Sequence, residues 1–337
     1  MAEHTVAAGL TNALLDFAAS KGARRAELLA RAGIAPGILE DGDNRVPLAN
    51  YIVLMRAAKA LTGDPALALH FGEADDMAQF SIVGLLGNAS ETMLEAMMQL
   101  NRYGRLVIEF DGGPDRFRLA REQGGLWFVD DRRNPNDFHE LTESTFGRML
   151  AGGHRGGHSK LVKQVHVTHA APAYRSEYER IFKVPVTFDA PWNAIQIDEV
   201  WLTTPVRLQP RYVFGILAQR ADTLLRELEN SKSMRGRVES LLMPILHKGD
   251  AGMDAVAAKL AVSRQTLFRK LKAEGTTFEK VLDELRHRLA VDYLAAKKVS
   301  VNETAFLVGF SDPAAFSRAF KRWTGTSPRA ARAMDPK

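Results

Sequence analysis

The residues best suited to catalytic or metal chemistry lie in the stretch AGGHRGGHSK, residues Ala151–Lys160. Gly152 and Gly157 have the spacing of a phosphate-binding P-loop, but histidine and serine follow them where that loop requires lysine and then serine or threonine. His154 and His158 are four residues apart, so on a helix they would share one face and could bind a metal ion. The glycines among them disfavour a helix, and a flexible loop is the simpler interpretation.

The rest of the chain offers little more to an enzyme. His166 and His169 lie near the end of a predicted strand, with no carboxylate beside them in the sequence. Neither the GxSxG motif of serine hydrolases nor the HExxH motif of zinc proteases is present. We therefore predict a protein that is not an enzyme and that uses no metal or other cofactor.

Length and composition indicate a globular protein of two domains. The chain has 337 residues, of which 46% are hydrophobic and 25% charged, and a domain holds about 150 residues on average. It contains no cysteine, which excludes disulfides and cysteine-ligated zinc and fits a reducing compartment. The N-terminus lacks the basic region of a signal peptide, and no apolar run approaches the length of a membrane span. We expect a soluble, cytoplasmic protein with no membrane partner.

Positive charge is concentrated towards the C-terminus. Residues Ala251–Lys337 contain 16 Lys and Arg against 9 Asp and Glu, whereas the whole chain has a net charge of only +5. The preceding part is therefore close to neutral. A basic domain on a near-neutral body is typical of a protein of which one part binds a polyanion.

The same basic region contains an internal repeat. Val256–Gly275 and Thr304–Gly325 align with a separation of 48 residues, which becomes 49 after one extra residue in the second turn. Each copy predicts a helix, a tight turn and a second helix. In the first copy Ser263 is suited to cap the second helix. In the second copy Gly309 suits the turn, because glycine tolerates the left-handed conformation, and Asp312 suits the cap.

A long amphipathic helix is predicted between the two copies, over Phe278–Lys298, because apolar residues recur there every three or four positions. About twenty residues span about 30 Å, close to the roughly 34 Å between successive major-groove faces on one side of B-DNA. A helix of this length would let one chain place two recognition helices in adjacent grooves. An apolar stripe over Val238–Leu246 predicts a helix before the first copy.

The N-terminal two-thirds of the chain predict an α+β domain. Helical periodicity covers residues 6–20, 24–33, 47–62 and 91–104, and alternating segments at 105–110, 116–119 and 126–129 predict an antiparallel meander. A helix at 136–151, a strand at 162–168, a helix at 174–183 and a strand at 194–197 are expected to follow.

A further helix is predicted over residues 210–228, between this domain and the repeat. Its apolar residues form a heptad-like stripe: Val213, Leu217, Ala221, Leu224 and Leu228. The stripe fits a dimer interface, and it fits equally well a helix that packs on its own domain.

The segment from about Met234 to Arg332 resembles the DNA-binding domain of the AraC/XylS family of transcription regulators. Its second copy and tail, AFLVGFSDPAAFSRAFKRWTGTSPRAAR, carry the family motifs A-x-x-V-G-F, F-S-R-x-F-K-R-x-x-G and S-P-x-x-x-R. The chain departs from the family at Ala314-Ala315, where an aromatic or polar pair is frequent. The layout of the N-terminal part is similar to the arabinose-binding-type domain of one AraC subfamily. We accordingly predict an α+β sensor domain at 1–205, a linker helix at 206–233, and an all-α domain with two helix-turn-helix units joined by a long helix at 234–333.

The resemblance implies base contacts from the exposed faces of the two recognition helices: Arg264, Gln265, Thr266 and Arg269 in the first, and Ser317 and Arg318 in the second. Arginine can pair with guanine and glutamine with adenine in the major groove. Phosphate contacts are expected from the other cations, namely Lys270, Lys272, Lys321, Arg322 and Arg329. The recurring apolar residues are predicted to be core: Leu267, Leu271, Phe310, Phe316, Phe320 and Trp323.

Attached to a DNA-binding domain, such an N-terminal body usually senses a ligand or dimerises. The candidates for effector binding are Arg102 and Arg105, either of which could clamp a carboxylate, and Tyr103 and Trp127, which could line a pocket together with Phe80, Phe110 and Phe128. We predict a sequence-specific regulator that binds double-stranded DNA, responds to a small-molecule effector and forms a homodimer. If it is an activator, the family's commoner mode, it would also contact RNA polymerase. The alternatives are a ligand-independent regulator controlled by abundance or a protein partner and, remotely, an enzyme fused to a DNA-binding module.

Overall fold

The computed structural model describes residues 4–113, 115–122, 124–206, 210–248, 252–297 and 299–333. Its contacts divide the chain into two compact units, Met1–Leu225 and Arg226–Lys337. The division falls inside the predicted linker helix. The domain boundaries expected at 205/206 and 233/234 remain predictions.

The first unit begins with a helical layer. Its helices are α1 (Ala8–Ser20), α2 (Arg25–Ala32), α3 (Leu48–Thr62), α4 (Leu67–Ala74), α5 (Ile82–Ala89) and α6 (Met93–Tyr103). Two short strands, β1 (Thr5–Ala7) and β2 (Arg45–Pro47), pair antiparallel beside them. The layer packs around a core that includes Leu14, Leu28 and Leu54, none of which is exposed.

A five-stranded sheet forms the second layer of this unit. Its strands are β3 (Phe117–Glu122), β4 (Gly125–Asp130), β5 (Val162–His166), β6 (Val186–Thr187) and β7 (Asn193–Ile197), in the order β3-β4-β7-β5-β6. Only the β5–β6 pair is parallel. Helices α7 (His139–Arg155), α8 (Arg175–Phe182) and α9 (Val200–Thr203) accompany the sheet. One core joins the sheet to α7 and α8 through Phe128, Val165, Phe146 and Tyr178.

Helices α4 and α7 approach each other closely, and glycine makes this possible. A Cβ built on Gly72 would lie 2.9 Å from both the carbonyl carbon and the Cα of Ser144, nearer than real Cβ atoms come to backbone. A Cβ built on Gly147 of α7 would likewise lie 3.1 Å from the carbonyl oxygen of Leu69. The two glycines allow α7 to contact both the helical layer and the sheet.

Helix α10 (Arg211–Lys232) corresponds to the predicted linker helix. Its Leu217 and Ala221 pack against the core of the helical layer. This packing favours an ordinary helix held on its own domain over a dimer stripe at these two positions. Tyr212 and Ile216, on other sides of the helix, are 80% and 53% exposed.

The second unit is helical throughout the part described. After the end of α10 come α11 (Met234–Leu242), α12 (Met253–Lys259), α13 (Arg264–Ala273), α14 (Phe278–Ala296), α15 (Val301–Leu307), α16 (Pro313–Thr324) and α17 (Pro328–Ala333). Val238, Val256, Leu285 and Phe316 lie in its core with no exposure. The predicted fold class, an α+β domain followed by an all-α domain with two helix-turn-helix units joined by a long helix, is confirmed.

Two local predictions were wrong. Residues 105–110 are not a strand: a 3-10 turn covers Gly104–Leu106, and Ile108 forms a single bridge to Val6. Nor is 151–160 mainly a flexible loop, because α7 continues through its first two glycines to Arg155. The sequence analysis also missed the helices α4, α5, α9 and α17 and the strands β1, β2 and β6. No helix among the described residues is long and apolar enough to cross a membrane.

Candidate DNA-binding interface

The first repeat folds as the helix-turn-helix pair α12 and α13. Ala261 takes the left-handed conformation, with φ 54°, and the amide of Val262 donates to the carbonyl of Ala257 at 3.1 Å to close the turn. The Ser263 hydroxyl then accepts a hydrogen bond from the amide of Thr266 at 3.1 Å, which confirms the predicted cap. Leu267 is fully buried against the core of the unit, so the opposite face of α13 points outward.

The second repeat, α15 and α16, has a more tightly held turn. Gly309 has φ 81°, and Arg286 on α14 donates to the carbonyls of Val308 at 3.2 Å and of Gly309 at 3.1 Å. Asp312 caps α16 by accepting from the amides of Ala314 and Ala315, at 2.9 and 3.0 Å. These backbone bonds hold the pKa of the Asp312 carboxyl below its ordinary value.

Helix α14 separates the two repeats and packs against both. Its 19 residues correspond to a length of about 28 Å at about 1.5 Å per residue. Val281, Leu285 and Leu294 are buried along it. On its outer side, Asp283 pairs with Arg322 of α16 at 2.9 Å.

The outer face of α13 carries most of the residues predicted to read bases. Arg269 is exposed and makes no hydrogen bond or ion pair with a described residue. Gln265 is exposed, and Thr266 is partly buried with its hydroxyl 2.9 Å from that of Ser263. Arg264 is paired with Asp254 at 2.7 Å, but both side chains are more than 60% exposed, and such pairs contribute little.

The sequence analysis assigned no role to Phe268, which shares this face. Its side chain is the one large apolar group on α13 that remains exposed, at 52%. On a helix its neighbours three and four residues away are Arg264, Gln265, Leu271 and Lys272. Three of these four are exposed polar or cationic residues. The sequence did contain a signal for this residue. Leu267 and Leu271 already form the buried stripe of α13, so the adjacent Phe268 could be expected to lie outside it.

The residues of α16 predicted to contact DNA differ from one another in exposure. The Arg318 side chain is 74% exposed, with Asp312 3.9 Å away. Ser317 is partly buried, and its hydroxyl donates to the carbonyl of Pro313 at 2.9 Å. Lys321 is exposed. The structure therefore presents Arg318 to solvent more openly than Ser317.

The remaining predicted phosphate contacts, Lys270, Lys272 and Arg329, are exposed and unpaired in the part of the chain that the structure describes. The predicted core residues are buried in four cases, Leu267, Leu271, Phe316 and Phe320, and only partly buried in two, Phe310 and Trp323.

A carboxylate ties the first recognition helix to the start of the second unit. Glu274 directly follows α13, and its two oxygens accept the backbone amides of Met234 at 2.6 Å and Arg235 at 2.9 Å. These are the first two residues of α11. The bonds satisfy amides that a helix N-terminus leaves without partners.

The predicted effector residues of the first unit do not converge. Arg102 and Tyr103 both bind Asp222 of α10, at 2.9 and 2.7 Å, and burial together with this hydrogen bond raises the pKa of Tyr103 to about 12. Arg105 lies 3.8 Å from Glu109. Trp127 is fully buried on the other face of the sheet, beside His166 and Trp192.

A cavity of about 50 Å³ lies elsewhere in this unit. Its wall is mostly apolar, with Leu10, Met77, Leu100, Phe110, Phe117 and Met149 among the lining residues. Its polar lining includes Arg116, Ser144, Thr145 and Arg148. Of the aromatic residues considered from sequence, Phe110 contributes to this wall.

Three of the histidines considered from the sequence contact other side chains of the first unit. His154 lies on α7 and His158 beyond its end, and the ring of His154 contacts the Ser159 hydroxyl at 2.8 Å. The ring of His166 accepts from the indole of Trp192, and His169 contacts the hydroxyl of Tyr178. Within the described residues no group of three or more His, Cys, Asp or Glu side chains is placed to hold a metal ion.

Comparison with known proteins defines the class. Residues 22–206 match the family model for the arabinose-binding domain of AraC transcription regulators, and residues 256–334 match a helix-turn-helix domain model. The first match covers more than half of the chain. The chain therefore belongs to the AraC family, and it is a DNA-binding helix-turn-helix transcription regulator.

Individual relatives agree with this class. The chain is 28% identical over 326 residues to the ornithine utilization regulator of Pseudomonas aeruginosa, covering 94% of this chain and 93% of that protein. It is 36% identical over 116 residues to the transcriptional activator RhaS of Escherichia coli, covering 34% and 41%. The crystal structure of the regulator CdpR from P. aeruginosa is 21% identical, with a TM-score of 0.37 and coverage of 92% and 96%. The first two are named as transcription regulators.

Proposed function

We propose that the protein binds one operator through two adjacent major grooves, with α13 in one groove and α16 in the next. The observation that supports this is the duplicated helix-turn-helix on either side of α14, with exposed cations on both recognition helices. The length of α14, about 28 Å, is close to the roughly 34 Å repeat of B-DNA. The residue roles expected from the sequence are kept as part of this proposal.

Base reading is proposed for Arg264, Gln265, Thr266 and Arg269 on α13, and for Ser317 and Arg318 on α16. Arg269 and Arg318 carry most weight because both are exposed. Arg269 has no ion-pair partner among the described residues, and the ion pair of Arg318 with Asp312 is long, at 3.9 Å. Arg264 has to leave Asp254, and Ser317 has to leave the carbonyl of Pro313, before either contacts a base. Lys270, Lys272, Lys321, Arg322 and Arg329 are proposed to bind phosphates, which fixes the position of the protein on DNA.

Phe268 joins the proposed base-reading set. Removing an exposed phenyl ring from water is favourable. In the major groove, the apolar group that such a ring can contact is the 5-methyl group of thymine. We expect the half-site of α13 to contain a thymine that this ring contacts.

The first unit is proposed to bind a small-molecule effector and to regulate the second. Its match to a ligand-binding domain model supports this, as does the mixed apolar and cationic cavity. One relative is named an ornithine utilization regulator, so ornithine belongs in the metabolite screen beside other classes of compound. Activation, contact with RNA polymerase and formation of a homodimer are proposed with it, because two relatives are named as activators.

Selection of DNA from a random library by the intact chain tests the DNA-binding proposal. We expect two enriched motifs about one helical turn, roughly 10 base pairs, apart. Arg269→Ala should relax the sequence at one motif and Arg318→Ala at the other, each by about 1–3 kcal/mol of discrimination. Arg237→Ala, an exposed arginine on α11, is the matched control and should select the wild-type site.

Two results would contradict the assignment. If both variants select the wild-type site, these arginines do not read bases. If one variant relaxes both motifs, the two repeats do not read separately. A broad metabolite screen that leaves the melting temperature unchanged would favour control by abundance or by a protein partner.

A further inference from the structure

The cavity of the first unit adjoins a buried cluster with excess positive charge. Arg116 donates to both oxygens of Asp130, at 3.1 and 2.8 Å, and Arg132 donates to the same carboxylate at 3.2 and 3.0 Å. All three side chains are at most 10% exposed. Two guanidinium groups thus share one carboxylate, and one positive charge has no buried counter-charge within the cluster.

The carboxylate of this cluster is ionised. Burial by itself would raise the pKa of Asp130, but the charges and hydrogen bonds of Arg116 and Arg132 outweigh it, and its pKa lies below the ordinary value. The net charge of the three groups is therefore +1 at neutral pH.

An anion bound in the cavity could neutralise this excess positive charge. Arg116 and Arg148 both line it. Arg148 uses Nε and Nη2 to bind Asp75, and Arg116 uses the same two nitrogens for Asp130 and the Thr145 hydroxyl. Nη1 of each arginine donates no hydrogen bond to any residue in the described ranges. Each of these two lining arginines thus keeps one guanidinium nitrogen without a hydrogen-bond acceptor among the described residues.

The remainder of the wall selects for an apolar tail and a small size. A volume of about 50 Å³ is below the roughly 300–1,000 Å³ of sites for drug-sized ligands. Met77 and Met149 are among the lining residues, and unbranched thioether side chains repack easily to enlarge such a space. A short chain of a few carbon atoms fits these limits.

We propose that this cavity binds a small monocarboxylate, with its carboxylate on Arg116 and its short apolar tail against Leu100, Phe117 and Met149. The proposal rests on the effector-sensing function proposed above and names the ligand class. The wall offers no carboxylate to an ammonium group, since neither Asp130 nor Asp75 lines it. Cationic ligands are therefore excluded from this site by charge.

Calorimetric titration and thermal melting of the intact chain test the ligand class. The probes are propionate, butyrate and pentanoate, each compared with its primary amide and with the alkylammonium ion of the same length. The amide has nearly the shape of the acid but no charge. We expect the acids to bind and to raise the melting temperature, and the amides and ammonium ions to do neither.

Arg116→Gln tests the site. Asp130 keeps Arg132 as its partner in this variant, so the substitution removes the excess charge without leaving a carboxylate alone. We expect the affinity for the acids to fall by about 10- to 100-fold, as for the loss of a charged hydrogen bond. Arg118→Gln, two residues further along the chain on β3 and 44% exposed, is the matched control and should bind as the wild type does. If Arg116→Gln fails to fold, Arg116→Lys keeps the charge and should bind more weakly than the wild type while still preferring acid to amide.

The proposal is overturned if no acid binds, if amides bind as well as acids, or if Arg116→Gln binds acids with unchanged affinity. These results leave the DNA selection untouched, so a failure here is distinguishable from a failure of the regulator function. An amine or sugar that binds instead would preserve effector sensing and remove only the ligand class.

Discussion

Replacing Gly309 by alanine should destabilise the second repeat more than a left-handed alanine alone would. The turn places Gly309 at φ 81°, and a Cβ there would overlap the carbonyl oxygen of Leu246 and lie 3.3 Å from its carbonyl carbon. The neighbouring atom is backbone, so it cannot rotate away as a side chain would. The Nη2 of Arg286 would be 3.4 Å from the added carbon, on another side.

The magnitude has two parts. A left-handed conformation costs alanine about 1–2 kcal/mol, and forcing packed backbone apart costs about 1–3 kcal/mol more. Gly309→Ala should therefore lower the free energy of unfolding of this region by about 2–5 kcal/mol. Ala261 at the corresponding turn of the first repeat has φ 54° and is exposed, so an alanine adopts the left-handed conformation at that turn.

Gly325→Ala isolates the steric part. Gly325 has φ 77°, but no atom lies within 4 Å of its added Cβ. Gly325→Ala therefore carries only the conformational cost. Any effect of the alanine on the unfolded chain is common to Gly325→Ala and Gly309→Ala and cancels when their losses of stability are compared. Hydrogen exchange of the amides of α15 and α16 in the intact chain measures both losses. Equal losses in the two variants would refute the steric reasoning.

Three further predictions concern other parts of the molecule. Replacing the contacted thymine by uracil should weaken wild-type binding about fourfold, the loss of one buried methyl of about 0.8 kcal/mol, and leave Phe268→Ala unaffected; equal losses would remove the ring from the base contact. Lys321→Ala should weaken binding to all sequences alike and reduce the slope of log affinity against log salt by about one, whereas a sequence-dependent loss would make it a base reader. Asp130→Asn leaves Arg116 and Arg132 without an anion and should cost about 3–5 kcal/mol at pH 7. The pKa of Asp130 is lowered in the folded protein, so the wild type loses this stability as pH falls below about 3.9, the value in the unfolded chain. Urea denaturation at pH 3 should therefore show a smaller difference in unfolding free energy between wild type and Asp130→Asn than at pH 7. An equal difference at both pH values would contradict the reasoning.

The second unit was predictable because its signals are local. The helix expected over 278–298 runs from Phe278 to Ala296, and Asp312 caps α16, as expected. Apolar spacing, a capping side chain and a turn glycine each act within a few residues. The rule that combines them therefore needs no knowledge of the rest of the chain.

The first unit depends on contacts that sequence spacing does not contain. Residues 105–110 alternate like a strand, yet Arg45, about sixty residues earlier, donates to the carbonyls of Arg105 and Leu106. Those carbonyls are therefore occupied by a side chain. Tyr103, expected in a pocket, instead binds Asp222, 119 residues later. The cavity is built from α1, α6, β3 and α7, so its lining could not be assembled from any one segment.

The bonds of Glu274 also have a mechanical consequence. One residue, Ser233, separates the end of α10 from α11, and the carboxylate of Glu274 clamps the first turn of α11 to the end of α13. There is accordingly little slack between the linker and the first recognition helix. A rotation of the last turn of α10 would therefore reach α13 through fewer contacts than it would reach α16. If α13 and α16 bind the two halves of an operator as proposed, we expect the half bound by α13 to be the more sensitive to a change in the linker.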